Sequence, residues 1–443
     1  MTSTLDDAPS IPAAPAPAGD PLGVFRHDHL PGWAIVHRSL DATEIEDVGA
    51  AVEAAMRSVA RAISPGTRVA VAAGSRGIDR IDEVVAAAVR VVRAAGADVF
   101  VVPAMGSHGG ATADGQLEVL ASLGMTPQRL GCEIRASMDT VRLGEVEGGV
   151  PVYIDRVAYE EADAIVPVNR VKPHTDFTGP VESGLLKMIA IGLAKQKGAD
   201  TFHARGFDVF AELIPSVAAF TLAHAPIPFG IALVENGYAR LRRIEAVPAA
   251  AMDARERELR DEADGYLARL PVDALDVLVI DRIGKDISGL GMDSNVVGRY
   301  YSGPTGRGPS IQRIFVRDLT DETEGNAVGI GMADVVHARA VARMDALKTY
   351  MNCVTAKTPE GARIALTAES DRQGLDLALA CCLRVDPAQA RIARIRDTKH
   401  LEWFFASEPL LEELRGRPDC EIRGEATSVQ FDATDSFIDA LPS

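Results

Sequence analysis

Residues 68–110 read RVAVAAGSRGIDRIDEVVAAAVRVVRAAGADVFVVPAMGSHGG, and their punctuation decides the fold. Arg68–Ala73 is a short Val- and Ala-rich run that suits a buried strand, and Gly74-Ser75-Arg76-Gly77 turns the chain. From Asp79 to about Ala95 the apolar residues Ile81, Val84, Val85, Ala88, Val89 and Val92 share one helical face. Gly96 follows, then a second strand, Asp98–Pro103, the loop Met105–Gly110 and a further helix from about Thr112. Two such strands joined by a helix make a parallel unit, because only a crossover returns the chain in the same direction. Both glycine-rich turns then lie beyond the carboxyl ends of the strands, the edge where open α/β sheets bind ligands.

The same grammar extends outward. Strands are expected at Val150–Ile154, Ala164–Val168 and Phe229–Val234, and helices near Glu182–Ala194, Asp208–Leu222 and Ala250–Leu267. The charged helix 252–267 and Pro271 mark a boundary. After it come strands at Leu275–Ile280, Ile311–Val316 and Ala327–Ile330, a helix at Asp334–Met344, and a long glycine-rich loop, Gly284–Gly308. The expected architecture is therefore two α/β domains with mainly parallel sheets and an active-site cleft between them. The divisions are an Ala/Pro-rich disordered tail at 1–22, a catalytic and cofactor-binding domain at 23–269, and a closing domain at 270–443.

Composition narrows the function classes. Among 443 residues there are 46 Lys and Arg against 63 Asp and Glu, a net charge of −17. That balance argues against nucleic acid, which is bound through clustered cations. No apolar run approaches the roughly 20 residues of a membrane span, and no signal-peptide pattern opens the chain. Five cysteines without a CxxC pair argue against a disulfide framework or a cysteine-held zinc, and a reducing cytoplasm is the expected location.

Six stretches carry side chains suited to chemistry. His108 sits in Gly106-Ser107-His108-Gly109-Gly110 directly after a buried strand, where glycines such as Gly109 let a ligand approach the backbone. The plain alternative is an exposed turn. His174 lies in Asn169-Arg170-Val171-Lys172-Pro173-His174-Thr175-Asp176, a polar loop after another strand. Lys187 is a single ammonium in the apolar run Gly184–Leu193. Enclosed there it loses hydration and becomes nucleophilic; snorkelling to water along its stem is the alternative. His203 follows that helix, and imidazole ligates nickel, copper, zinc and iron, although one histidine needs further ligands to define a site. Arg76 is a fork-shaped donor at the ligand edge, suited to a carboxylate or to pairing with Asp79. The loop Lys285–Asn295, followed by Arg299 and Tyr300, is long enough to be functional.

In order and approximate spacing, Ser75-Arg76, His108, His174, Lys187 and His203 resemble the functional residues of the nickel-pincer lactate racemase family. The resemblance is best over about residues 65–210. It implies an isomerase, a racemase or epimerase of a 2-hydroxy acid. It also implies a nickel-pincer nucleotide (nickel pyridinium-3,5-bisthiocarboxylic acid mononucleotide) attached covalently at Lys187, with Ser75 and Gly109 lining its site. His203 would complete the nickel coordination, His108 and His174 would act as bases on opposite sides of the substrate, and Arg76 would grip its carboxylate. Lys285, Asn295 and Arg299 are the candidates for substrate contacts from the second domain, and cofactor-biosynthesis proteins would be needed for maturation. The first turn lacks the acid and proline of the members nearest to lactate racemase, which leaves lactate and a larger or more polar 2-hydroxy acid both open. A metal-dependent hydrolase or lyase on the same scaffold, and a non-catalytic metabolite-binding relative, are the competing readings.

Overall fold

The computed structural model describes residues 22–442 apart from Arg76, Asp176, Ser302, Thr305 and Gly306. The expected tail lies outside the described residues up to position 21. The strands in chain order are β1 (Trp33–Arg38), β2 (Arg68–Ala73), β3 (Asp98–Pro103), β4 (Thr140–Val146), β5 (Val150–Asp155), β6 (Ala164–Arg170), β7 (Phe229–Glu235) and β8 (Leu241–Pro248). They continue as β9 (Ala274–Ile280), β10 (Arg299–Tyr300), β11 (Gly303–Pro304), β12 (Ser310–Val316), β13 (Val335–His337), β14 (Leu366–Ala368), β15 (Ile392–Ile395), β16 (Trp403–Ser407) and β17 (Cys420–Thr427).

The first sheet has the order β3-β2-β6-β7-β8, and only β8 runs antiparallel. Its inner strands β2, β6 and β7 are buried along most of their length because helices cover both faces. Along β2, Val69, Val71 and Ala73 join the core beneath helices Val48–Met56 and Ile81–Ala94. Ala70 and Ala72 join the opposite core, with Leu185–Leu193 and the helix Phe210–His224. The segment Phe207–His224 is long and apolar enough to cross a membrane, a feature the sequence reading did not register. Here Phe210, Ile214, Val217 and Ala218 are buried in the first domain's core.

The second sheet, β14-β13-β12-β9-β15-β16-β1-β17, is parallel from β14 to β15 and antiparallel beyond it. Along β9, Leu278 and Ile280 feed one core and Val277 and Val279 the other. Mainly parallel α/β domains are thus what the chain builds.

Three local expectations are corrected. Trp33–Arg38, assigned by sequence to the first domain at 23–269, is an inner strand of the second sheet. It lies between β16 and β17, with Trp33 buried and stacked 4.7 Å from Phe405. The first domain is therefore inserted between β1 and β9. Ala327–Ile330 is not a strand: Gly329 adopts φ +95°, and a Cβ there would lie 1.6 Å from the Leu290 carbonyl oxygen. This apolar run is shaped for backbone contact with the preceding loop. The expected helix Asp334–Met344 begins instead as β13, with helix confined to Ala338–Ala342.

Candidate active site between the two sheets

In the first sheet β2 is flanked by β3 on one side and β6 on the other, which makes the β2/β6 boundary a topological switch point. The turns after these three adjacent strands carry Ser75, His108 and His174. Arg76, expected to hold a carboxylate here, lies outside the described residues.

His108 is exposed, and its Nδ1 is 2.5 Å from Ser75 Oγ, so the turns after β2 and β3 are joined through the imidazole. The loop beneath it is set by buried groups. Gln116 Nε2 donates to the carbonyls of Gly106 and His108, and its Oε1 accepts from Lys195 Nζ. Lys195 is fully buried, donates to Pro103 O and pairs with Asp155 at 2.8 Å. Burial pulls the Lys195 amine below the usual range, against the opposing pull of Asp155. Gly109, expected to admit a cofactor, has a local requirement: a Cβ on it would sit 2.4 Å from the Gly115 carbonyl carbon.

Lys187 is placed differently from the sequence expectation of one helix over 182–194. A single α-helical turn, Leu185–Lys187, runs into a π-helical turn, Met188–Gly192. Widened turns of this kind recur at functional sites. Here Gly192 O accepts from Gly106 N, and a Cβ on Gly192 would stand 2.6 Å from Ala104 O, so the lysine segment and the His108 loop touch backbone to backbone. The start of the turn is capped from afar by Glu256, whose carboxylate accepts from Leu186 N at 3.0 Å. Gly184 must be glycine, because a Cβ would lie 2.5 Å from that carboxylate.

The half-buried Lys187 amine is hydrogen-bonded to His174 Nε2. An aromatic floor then leads to the third histidine. His174 lies 4.5 Å from Phe177, Phe177 lies 5.4 Å from Phe210, and Phe210 lies 5.7 Å from His203. His203 Nδ1 is buried and, among the described residues, has no hydrogen-bond partner. Burial, with the charge of Lys187 adding to it, holds this imidazole below its ordinary value and therefore neutral. A neutral nitrogen with no other partner is the state a metal ligand requires. Among the described residues no group of three or more His, Cys, Asp or Glu side chains is arranged to hold a metal ion. Any metal at His203 would thus take most of its donors from a bound group, and in that respect these residues fit a cofactor that brings its own.

The second-domain candidates separate. Lys285 is exposed, its Nζ donating to Gly289 O. The guanidinium of Arg299 is engaged within its own domain, with Asp334 and the carbonyls of Met332, Ile311 and Gln312, so it braces that domain. It also lines a cleft of about 630 Å³ with Tyr300, Tyr301 and Arg307. Asn295 instead reaches the first domain, its Nδ2 3.1 Å from His174 O.

Residues 34–211 match the family model described as the lactate racemase N-terminal domain. This stretch is similar to the N-terminal domain of lactate racemase. The matched segment contains every first-domain candidate: Ser75, Arg76, His108, Gly109, His174, Lys187 and His203. Two solved structures are similar to parts of the chain. One is the lactate racemase apoprotein of Thermoanaerobacterium thermosaccharolyticum, at 12% identity and a TM-score of 0.48, covering 84% of this chain and 94% of that one. The other is a structural-genomics protein of Thermotoga maritima, at 16% identity and a TM-score of 0.46, covering 60% of this chain and 70% of that one. No curated protein matches.

Sequence reasoning overlooked three buried residues that support this site: Lys195, Glu182 and Glu256. Lys195 and Glu182 flank the apolar run 183–194 as buried charges, a signal present in the sequence. Glu256 was hidden among the charges of its helix, where only a tertiary contact distinguishes it. Full burial pushes its carboxyl up to about 7 from an ordinary 4.5. The unfolded chain loses this proton first, so its contribution is fully present below about pH 4.5 and fades as pH rises to about 7. Glu256→Gln should therefore gain on the wild type by roughly 3 kcal/mol across that window, 2.5 units at 1.36 kcal/mol each. Urea unfolding from pH 5 to 8 checks this; parallel stability curves would contradict it.

Proposed function

We propose that the chain is a racemase or epimerase of a 2-hydroxy acid, carrying a nickel-pincer nucleotide on Lys187 with His203 as the protein ligand to nickel. One observation carries the reading: the Lys187 amine bonds His174 while adding its charge to the field on the neutral imidazole of His203, whose buried Nδ1 has no hydrogen-bond partner among the described residues. An electrophile attached at Lys187 would lie between a base and a ligand. The match of residues 34–211 to the lactate racemase N-terminal domain supports the racemase class, while nickel, the nucleotide and the residue roles are our assignment.

When bound, the cofactor supplies a hydride acceptor. The residues of this chain do the remaining work. Direct removal of the carbon-bound proton of a 2-hydroxy acid is beyond an imidazole at neutral pH. Removal of the hydroxyl proton is not, once the carbon-bound hydrogen can leave with its electron pair. His174 would take that proton at Nε2, which loses its lysine partner when the amine is consumed in attachment. His108, held at Nδ1 by Ser75, would serve the opposite face at Nε2. Arg76, next to Ser75 in the sequence, would hold the carboxylate. The flat 2-keto acid can be reduced from either side, which inverts the centre.

Protein purified from cells that make the cofactor, supplied by cofactor-biosynthesis proteins as partners, should contain about one nickel per chain. It should also exchange the carbon-bound hydrogen of at least one 2-hydroxy acid in a panel spanning lactate, sugar acids and dicarboxylates. Metal-free protein that binds such acids without exchange would replace this reading with that of a binding relative. Turnover restored to apo protein by zinc or manganese alone would replace it with a hydrolase or lyase.

A further inference from the structure

The residues assigned to the reaction all come from the first domain, yet the backbone of His174 is gripped from the second. His174 N donates to Glu182 Oε2 at 2.7 Å, and Glu182 is buried. Its carboxylate is closed by the fork of Arg307, with Nη1 at 2.9 Å and Nη2 at 2.7 Å. Gly179 N donates to the same carboxylate, and Arg260 stands 3.7 Å away. On the other side of the same residue, His174 O accepts from Asn295 Nδ2, and Asn295 Oδ1 in turn accepts from Arg307. Ser294 Oγ donates to Thr175 O, and Lys172 pairs with Asp293 at 3.6 Å.

We propose that Arg307 is a positioning residue for His174: through Glu182 and Asn295 it fixes both backbone groups of that histidine, so the base takes its working position only when the second domain is docked. A planar, bidentate guanidinium suits the task because it sets direction as well as charge. The pairs reach across the domain boundary, and nothing else about them requires a histidine at the loop's centre. The inference rests on the reading of His174 as a base.

Two variants test it at independent points, Arg307→Lys, which keeps the charge and loses the fork, and Asn295→Ala. In each, amide hydrogen exchange in the holoprotein should rise about tenfold in peptides spanning 172–182 and stay unchanged in β2 and β9. A general loss of stability would instead raise exchange in all three. With the substrate found above, kcat should fall about ten- to a hundredfold with KM changed little, as for a misplaced catalytic group. Exchange at 172–182 equal to wild type in both variants would overturn the proposal, and so would faster exchange with unchanged kcat. The exchange arm needs no substrate, so it reads this inference even if no 2-hydroxy acid reacts with the wild type.

Discussion

Lys187→Ala is expected to give a folded protein that carries no attached nucleotide and turns over at least about a thousandfold more slowly than wild type. The fold should survive because the ammonium is only half-buried, and its partner His174 Nε2 can be served by water once the amine is gone. The substitution also removes a charge that depresses the His203 imidazole. Denaturant stability should therefore stay within about 1 kcal/mol of wild type. Intact-mass measurement on protein from cofactor-producing cells gives the primary readout. Wild type should show the adduct on the peptide containing Lys187, and the variant only its sequence mass, with nickel lost in parallel. Turnover that persists in Lys187→Ala would show that the amine has no covalent role. Unfolding of the variant would show that the lysine serves the apolar segment around it.

How much of this site could be read in advance follows from the range of the interactions involved. The β2–β3 unit was legible because each strand is buried on both faces and each turn is marked by glycine, both local properties. His108, His174, Lys187 and His203 stood out because a polar group at a strand end or in an apolar run is locally anomalous. The π-helical turn after Lys187 was not legible. It depends on Gly192 meeting the backbone of residues 104–106, a contact no helical periodicity encodes. Trp33–Arg38 was misplaced for a related reason, since its partners lie near 403–407 and 420–427 and pairing at such separation leaves no mark on a six-residue run. Glu182 and Arg307 stand 125 positions apart, so nothing local in the sequence pairs them. Arg299, singled out for its place after a glycine-rich loop, spends its donors on strand ends in its own domain. A cation's role is set by the nearest carboxylate and carbonyls, which the sequence does not reveal.

The second large effect concerns the two bases, which should fail in opposite ways. The order β3-β2-β6 puts the His108 and His174 loops on either side of the turn holding Ser75. Two inter-strand spacings separate β3 from β6, roughly 10 Å, room for a small hydroxy acid anchored by its carboxylate in the middle. A base on each side then meets the hydroxyl of only one enantiomer. His108→Asn and His174→Asn should each reduce racemisation by about a hundred- to ten-thousandfold. Each should still form 2-keto acid from one enantiomer, in an amount no greater than the enzyme present, and the enantiomer should differ between the variants. Rapid-quench analysis of single turnovers with each pure enantiomer reads this directly. Loss of the same enantiomer in both variants would place the two histidines on one side and leave a single base to serve both hands. Ser75→Ala refines the contrast, because Ser75 Oγ bonds His108. Its defect should fall on the enantiomer that His108→Asn loses, while the Arg307→Lys defect should fall on the one that His174→Asn loses.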